Sequence, residues 1–262
     1  MFVPSLRDAT FEAPEPSWTG KHPDPEPREP KRIERWICDT GNVCTPYEQP
    51  SFTENINWRI FRIMAEFVEG FEFLSKLKKE VTIFGSARAF TGSHSYETAK
   101  ELGFMLGKAG YTVITGGGPG VMEAANWGAH EAGADSVGLD IALPMEQRRN
   151  QYVKRGIGFN YFFTRKVMLS ASAQAYVFFP GGFGTMDELF EMATLIQTRK
   201  MSKNVPIILV GRSFWSPLLA WMKTHMWEEE RYIEKEELAI LRLVDTAEEA
   251  FEIIQATKPR SL

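Results

Sequence analysis

The residues best suited to chemistry in this chain lie in one short segment, residues 180–188, which reads PGGFGTMDE. The segment follows an apolar run at residues 175–179, and its glycines allow the backbone to approach a ligand closely. The N–H groups at the start of a helix attract anions, and Glu188 lies in the helix that this segment is predicted to open. An anion-binding loop beside an acid predicts a phosphorylated substrate that is cut as well as bound.

Glu188 has a second interpretation, because Thr185 and Glu188 have the spacing of a capping box. In that arrangement the glutamate accepts a hydrogen bond from the backbone of Thr185, and by spacing alone this role is favoured. The two roles are compatible, since a helix start lowers the pKa of a carboxyl group and orients it. An ionised, oriented carboxylate suits chemistry at the anomeric carbon of a sugar. Asp187 projects about 100° away around the helix and is not expected to reach the same pocket.

Two more glycine-containing loops follow predicted strands, at residues 84–88 (FGSAR) and 115–126 (TGGGPGVMEAAN). In the second loop Pro119 is expected to open a helix, and the glycines before it would expose backbone donors. The loop is not the dinucleotide fingerprint, because residue 121 is Val, and the chain has no Walker A sequence. Hydride transfer and ATP hydrolysis are therefore disfavoured. Tight turns without a ligand are the alternative, but two such loops in one sheet favour an anion site.

Arg165 and Lys166 are adjacent cations near the start of another predicted helix, where they oppose the helix dipole. Either an anion compensates them or they form an ordinary exposed pair. A polar run at residues 143–152 (LPMEQRRNQY) follows the third strand and should reach the same edge of the sheet. The four histidines show no ligand spacing, and Cys38 and Cys44 lack further zinc ligands nearby. We expect no metal and no cofactor.

Composition restricts the class of protein. A chain of 262 residues, 44% of them hydrophobic, can hold one α/β domain of ordinary size or two small ones. A net charge of −4 argues against a general nucleic-acid binder but allows a small phosphorylated ligand. No apolar run approaches the roughly 18 residues of a membrane span, and the N-terminus lacks the order of a secretory signal. We expect a cytoplasmic protein with two reduced cysteines and neither membrane nor nucleic-acid partners.

The elements that position these residues fall into three predicted regions. Residues 1–52 are rich in proline and charge and are expected to form an extended arm. Residues 53–80 are expected to form an amphipathic helix that packs on the domain or, alternatively, makes a subunit contact. Residues 81–258 should form the nucleotide-binding catalytic domain. The apolar stripe of the helix is predicted to comprise Ile56, Ile60, Ile63, Met64, Phe67, Phe71 and Leu74.

Strands and helices alternate from residue 81 onward. Strands are predicted at residues 81–84, 112–115, 136–141, 158–163, 175–179 and 205–210. Helices are predicted at about 95–109, from 119, and at 164–173, 185–200, 214–226 and 246–257. Apolar strands that alternate with helices predict an α/β fold, a Rossmann-like parallel sheet with helices on both faces. Ligands of such sheets bind at the carboxyl ends of the strands, where the three loops fall.

Taken in order along the chain, these motifs resemble the LOG (LONELY GUY) family, a group often mislabelled as lysine decarboxylases. The resemblance rests on residues 180–188, residues 115–123 and the Arg165–Lys166 pair. Residues 84–88, and residues 143–147 with Asn150, are similar to the longer bacterial branch. The resemblance covers roughly residues 80–255. Residues 162–164 read FFT where plant-type members usually have Met-His-Glu, so cytokinin specificity does not follow from the resemblance.

The resemblance implies hydrolysis of the N-glycosidic bond of nucleoside 5′-monophosphates, AMP-like or cytokinin-type, to free base and ribose 5-phosphate. It also implies a homodimer or larger homo-oligomer with the active site near the subunit contact, and Arg165 and Glu188 as the catalytic pair. The expected substrate-binding residues are Gly85, Ser86, Thr115, Gly116, Gly117, Gly118, Gly120, Glu123, Lys166, Pro180, Gly181, Gly182, Gly184 and Thr185. Two alternatives stay open: a non-catalytic carrier of a nucleotide or phosphorylated cofactor, and a scaffold that acts through the arm and the first helix.

Overall fold

The computed structural model describes residues 56–142 and 149–259, together with two short strands nearer the N-terminus. These strands, β1 (Trp36–Cys38) and β2 (Cys44–Pro46), pair antiparallel, with the backbones of Cys38 and Cys44 in register. They belong to a unit of their own, Met1–Tyr47, and the rest of the chain forms a second unit. Apart from β1 and β2, the predicted arm lies outside the described residues, and so do residues 143–148 of the polar run predicted at 143–152.

The second unit is built on a parallel sheet of seven strands, in the order β6-β5-β4-β3-β7-β8-β9. Residues of β3, β4, β7 and β8 are buried throughout, as expected for strands covered on both faces. The strands are β3 (Glu80–Phe84), β4 (Thr112–Thr115), β5 (Ser136–Ile141), β6 (Arg155–Phe159), β7 (Ala175–Phe178), β8 (Ile207–Val210) and β9 (Leu241–Val244). The predicted α/β, Rossmann-like fold is confirmed.

Helices cover the sheet on two sides, and each side has its own hydrophobic core. One core gathers α2, α3 and α7, and the other gathers α4, α5, α6 and the end of α1. The helices are α1 (Ile56–Leu74), α2 (His94–Lys108), α3 (Val121–Glu131), α4 (Phe162–Ala171), α5 (Phe183–Gln197), α6 (Arg212–Trp221) and α7 (Ala247–Gln255). A π-helical segment (Met222–Glu229) and a 3₁₀ helix (Lys235–Ile240) join α6 to β9.

The chain changes direction across the sheet at β3, which pairs with β4 on one side and with β7 on the other. The loops that follow these three strands therefore meet at one edge, the usual ligand edge of such sheets. Hydrogen bonds join them: Ser86 N donates to Pro180 O at 3.0 Å, and Val121 N donates to Ser86 O at 3.0 Å. The three loops thus form one connected surface.

The structure corrects two strand predictions. The strand expected at 158–163 lies at Arg155–Phe159, and α4 already begins at Phe162. β9 was not predicted at all. Both are the outermost strands of the sheet, where partial exposure breaks up the apolar run that marks a central strand.

The buried face of α1 also differs from the predicted stripe. Glu66 and Gly70 are buried, whereas the predicted stripe residues Ile60, Met64 and Phe71 are exposed. Ile63 and Phe67 are half-buried and Leu74 is buried, so the stripe is correct only in part. The helix approaches α4 so closely at Gly70 that a larger side chain would collide with Met168. A glycine and a carboxylate carry this contact, and hydrophobic periodicity gives no signal for either.

Candidate active site

Arg165 projects from α4 toward the loop after β4. Its Nε donates to Leu139 O at 2.8 Å, which ties the guanidinium to β5. A side chain at Gly116 would collide with Nη2, so the guanidinium lies directly against that glycine. Burial lowers the pKa of Arg165, although the negative charges of Glu188 and Asp140 oppose the shift. The structure therefore places Arg165 within electrostatic reach of the other predicted catalytic residue.

Glu188 lies in the second turn of α5 and is 9% exposed. Its Oε2 atom has no hydrogen-bond partner among the described residues. Burial raises the pKa of Glu188 to about 7, and the charge of Lys166 only partly offsets this. The expectation that the helix start would lower this pKa is wrong, because loss of hydration outweighs the dipole.

The capping box predicted for Thr185 and Glu188 is also absent. Helix α5 begins at Phe183 with Gly182 as its N-cap residue, so Thr185 is the third helical residue and Glu188 the sixth. A capping box needs its glutamate at the third position. Glu188 is thus free of the structural role that its spacing suggested.

Lys166 points toward α5. Its Nζ lies 2.7 Å from Asp187 Oδ2 and 3.1 Å from Glu191 Oε2. Burial by itself would lower the pKa of Lys166, but the hydrogen bonds to these two carboxylates raise it. The sequence left open whether an anion compensates the two cations. For Lys166, these two carboxylates of the protein are that anionic partner.

The loop after β4 is buried and internally braced. Thr115 Oγ1 donates to Asn126 Oδ1 at 2.6 Å and accepts from Gly117 N at 2.9 Å. Asn150 Nδ2 donates to Gly118 O at 3.0 Å, and Asn150 N donates to Gly117 O at 2.8 Å. Thr115 is fully buried and supports the loop from the side of the sheet.

Two glycines of this loop have positive φ. Gly117 has φ +72°, and a larger side chain there would collide with Asp140. Gly120 has φ +70° and is the N-cap residue of α3, which begins at Val121. Pro119 therefore precedes the helix and does not open it, contrary to the sequence prediction.

The loop after β7 is open by comparison. Gly182, Phe183 and Gly184 are exposed, and the start of α5 has no side-chain cap. Thr185 is buried, with its hydroxyl packed closely against Gly181. The first N–H groups of a helix have no partner within the helix, so this start can receive an anion.

The remaining predicted residues flank these loops. Gly85 packs tightly on Val121, and Ser86 Oγ accepts from Arg88 N at 3.1 Å. Glu123 is half-buried in the first turn of α3, where its charge raises the pKa of Tyr96 further, after the main effect of burial. Thr115 is the last residue of β4. The other predicted site residues lie in the three loops, in the helices α3 and α5 that follow two of them, or in α4, which follows β6.

Sequence reasoning left out Asp140, Asn126 and Asn150. Asp140 lies at the carboxyl end of β5, and Arg149 Nε donates to its Oδ2 at 2.5 Å. Burial raises the pKa of Asp140, and Arg149 and Arg165 oppose the shift. A polar residue at the end of an apolar strand was the available signal for Asp140. Asn126 and Asn150 lie in the segments 115–126 and 143–152, but nothing in their spacing indicated that they brace a loop.

The described residues contain no group of three or more His, Cys, Asp and Glu side chains arranged to hold a metal ion. None of the helices in the same ranges is long and apolar enough to cross a membrane. The site consists instead of a buried carboxylate that titrates near neutral pH, a guanidinium, and an uncapped helix start. Such a set can bind an anion and stabilise a positive charge that develops beside it.

Residues 122–254 match the model of a protein family described as "Possible lysine decarboxylase". The chain belongs to this family, the LOG family. The rice cytokinin riboside 5′-monophosphate phosphoribohydrolase LOG is 27% identical over 67% of this chain and 72% of its own length. The probable rice enzyme LOGL5 is 31% identical over 56% of this chain and 60% of its own length. LOG3 of Arabidopsis thaliana is 24% identical over 71% of this chain and 85% of its own length.

Solved structures share the fold of this LOG-family chain. The molybdenum cofactor binding protein of Rippkaea orientalis superposes with a TM-score of 0.50, at 22% identity, over 68% of this chain and 94% of its own. The molybdenum cofactor carrier protein of Chlamydomonas reinhardtii gives a TM-score of 0.50, at 20% identity, over 68% and 96%. At these identities the likeness concerns the fold alone.

Proposed function

We propose that this protein is a hydrolase that cleaves the N-glycosidic bond of nucleoside 5′-monophosphates and releases free base and ribose 5-phosphate. The observation that carries the proposal is Glu188, a buried carboxyl group whose Oε2 has no described partner and which lies within electrostatic reach of Arg165. Membership of the LOG family supports it, since the rice and Arabidopsis relatives are named as phosphoribohydrolases. Strongly perturbed carboxyl groups in such settings are typical of catalytic sites.

The 5′-phosphate would bind between the loop after β4 and the uncapped start of α5. The exposed Gly182 and Gly184 leave room for a ligand, since a methyl group added at either residue would have no described atom within 4 Å apart from those of the adjoining chain. The helix dipole favours the negative charge, and Arg165 adds a second positive group near Gly116. In this proposal Gly116–Gly118, Gly184 and Thr185 hold the phosphate.

The proposed reaction breaks the bond between C1′ and the base nitrogen, and the electron pair leaves with the base. Positive charge develops on the ribose, as in glycoside hydrolysis. Glu188 in its ionised form stabilises this charge, orients the attacking water and accepts its proton. Arg165 binds the substrate and favours departure of the electron-rich base, which takes up a proton from solvent. Glu188 returns to solvent the proton that it accepted, so that one water is divided between ribose 5-phosphate and base. Each contribution is worth roughly 10²–10⁴ in rate.

The decarboxylase in the family description does not fit the residues of the site. Decarboxylation of amino acids usually relies on a pyridoxal phosphate bound to a lysine as a Schiff base. That lysine must lose its proton, which a lowered pKa favours. Lys166, the lysine at this site, is paired with Asp187 and Glu191 and has a raised pKa.

The proposal includes a cytoplasmic homodimer or larger assembly with the site near the subunit contact. Large apolar side chains are exposed beside the site on α4 and α5, and Phe183 is 97% exposed. Apolar patches of this kind often mark contacts between proteins. The exposed set comprises Phe162, Phe163, Val167, Phe183 and Phe190. Light scattering coupled to size exclusion would show a dimer or larger species, and a monomer at micromolar concentration would contradict it.

The alternative is a carrier that binds a phosphorylated ligand without cutting it, because the two structural neighbours are named as molybdenum cofactor binding and carrier proteins. The test is to incubate the pure protein with AMP, CMP, GMP and isopentenyladenosine monophosphate and to measure free base and ribose 5-phosphate by chromatography. Calorimetry measures binding of the same nucleotides in parallel. Release of base supports the hydrolase. Binding without release from any of the four favours the carrier.

A further inference from the structure

A buried carboxylate outside the predicted site holds the helix that carries Arg165. Glu66, on α1, is 6% exposed. Its Oε1 accepts hydrogen bonds from Asn160 N at 2.8 Å and Asn160 Nδ2 at 2.7 Å. Its Oε2 accepts from Thr164 Oγ1 at 2.6 Å. Both carboxylate oxygens are therefore engaged by the residues around the start of α4.

Helix α4 needs such a partner, because its own sequence supplies none. The N-cap residue Tyr161 makes no side-chain cap, and the first turn contains no acidic residue. The same end of the helix carries two cations, Arg165 and Lys166, which the dipole disfavours there. A carboxylate at the helix start is favourable, and Glu66 provides it from another helix.

The contact continues beyond Arg165. Thr164 is fully buried and directly precedes Arg165, whose own N–H donates to Tyr161 O at 3.2 Å. One turn after Glu66, Gly70 packs against Met168, which lies three residues beyond Arg165. Helix α1 thus fixes α4 on both sides of the arginine.

A role in packing alone does not account for the choice of residue. Burying a carboxylate is costly unless its hydrogen bonds are satisfied, and another buried position of α1 holds an apolar residue, Leu74. An apolar residue could fill the space but could not accept three hydrogen bonds. The carboxylate therefore sets the position and rotation of α4 as well as burying surface.

We propose that Glu66 is a positioning residue that holds the start of α4 and thereby aims Arg165 at the loop after β4. The inference rests on the proposed hydrolase for its kinetic consequence. α1 precedes the residues matched by the family model, so the site depends on an element outside the matched range. Glu66 itself touches no reacting group.

The kinetic test compares three variants: Glu66→Ala, Glu66→Gln and, as a matched control, Glu69→Ala, an exposed glutamate on the same helix. Glu66→Ala should lower kcat by about 10- to 100-fold, the loss expected when a catalytic group is displaced by about 1 Å. KM should rise by a smaller factor than kcat falls, because Arg165 is one of several groups proposed to bind the substrate and the phosphate loops do not lie on α4. Glu66→Gln should recover most of the rate, since its amide can bond to both Asn160 and Thr164.

A second readout does not require turnover. Amide hydrogen exchange at residues 160–166 should accelerate at least about tenfold in Glu66→Ala and stay near wild type in Glu66→Gln and Glu69→Ala. This result distinguishes the two proposals: an inactive wild type overturns the hydrolase, whereas unchanged exchange in Glu66→Ala overturns the positioning role. A kcat for Glu66→Ala within twofold of an active wild type also overturns it, as does equal damage by Glu66→Gln.

If Glu66→Ala does not fold, Thr164→Ala replaces it with Thr164→Ser as its control. Thr164→Ala removes the partner of Oε2, together with the hydrogen bond from Thr164 Oγ1 to Tyr161 O at 2.8 Å, and keeps the two hydrogen bonds from Asn160 to Glu66. It should lower kcat by about tenfold, with faster exchange at the start of α4, while Thr164→Ser retains the hydroxyl and the rate. Equal rates for the two threonine variants would overturn the proposal.

Discussion

The loop after β4 and the loop after β7 are both rich in glycine, yet the protein builds them differently. Gly116–Gly118 are buried, and their backbone is braced by a hydrogen bond from Gly117 N to Thr115 Oγ1 and by another from Asn150 Nδ2 to Gly118 O. Gly182–Gly184 are exposed at a helix start without a side-chain cap. The backbone of the loop after β4 is hydrogen-bonded within the folded protein, whereas the loop after β7 leaves the N–H groups of a helix start available to a ligand.

The difference indicates that the two loops have different roles in the proposed mechanism. The braced loop loses its conformational freedom when the protein folds, so substrate binding does not have to order it. The open loop contributes unpartnered N–H groups and leads directly to Glu188. In the proposed mechanism the loop after β4 therefore supplies a rigid binding surface. The loop after β7 supplies the N–H donors and leads to the catalytic carboxylate.

The largest expected effect is the loss of turnover when the carboxylate that follows the open loop is replaced by an amide. Glu188→Gln should lower kcat by roughly 10²–10⁴, because the amide can neither take a proton from water nor stabilise positive charge as a carboxylate does. The matched control is Asp187→Asn, at the neighbouring exposed acid, which should lose less than about tenfold. Steady-state kinetics with the best nucleotide measures both. Near-wild-type turnover in Glu188→Gln would refute the catalytic role.

The second prediction sets equivalent substitutions in the two loops against each other. Gly117→Ala should lower the free energy of unfolding by about 2–4 kcal/mol, since φ is +72° and the new methyl would collide with Asp140. Gly182→Ala should change it by less than about 0.5 kcal/mol, because φ is −92° and the space is open. Urea unfolding measures both. Equal losses would show that the loops do not differ in rigidity.

The third prediction concerns stability and pH on the open side. The folded-state pKa of Glu188, about 7, lies above the ordinary value of 4.5, so the folded protein loses stability as this group ionises between these values. Glu188→Gln should therefore match wild type near pH 4.5 and exceed its free energy of unfolding above pH 7, by at most about 3 kcal/mol. Unfolding curves at both pH values test this. A constant difference across that range would mean that Glu188 titrates normally.

The smallest expected effect is a shift in the pH profile. If the ionised Glu188 is active, kcat/KM should rise with pH through about 7. Lys166 is the charge that most lowers this pKa, so Lys166→Gln should move the midpoint upward, by up to about one pH unit. The exposed Lys200→Gln should leave it unchanged. A midpoint that moves downward in Lys166→Gln would contradict the assigned interaction.

The central part of the fold could be predicted from sequence because burial on both faces leaves a plain pattern. The strands at 112–115 and 136–141 lie where their apolar runs placed them. The outermost strand β9 (Leu241–Val244) was missed, since its middle residues Arg242 and Leu243 are not buried. Edge strands mix exposed and buried residues over few positions, so periodicity is weak there.

The candidate site was predicted in its residue types but not in its energetics. Spacing suggested a capped, low-pKa Glu188, whereas the helix begins one turn earlier than a capping box requires. Its raised pKa results from burial by the tertiary fold, which motif spacing does not encode. Likewise, the hydrogen bonds of Glu66 join residues 94 and 98 positions apart, beyond the range of any local pattern.

The position of β3 has a practical consequence for work with fragments of the chain. The family match begins at residue 122, but β3 and β4 precede it, and β3 pairs with both β4 and β7. A recombinant fragment cut at the borders of that match would lack two adjacent central strands, and β7 and β5 would each lose a neighbour. The borders of sequence similarity therefore do not mark a unit that can be expressed alone, and excision should begin upstream of α1.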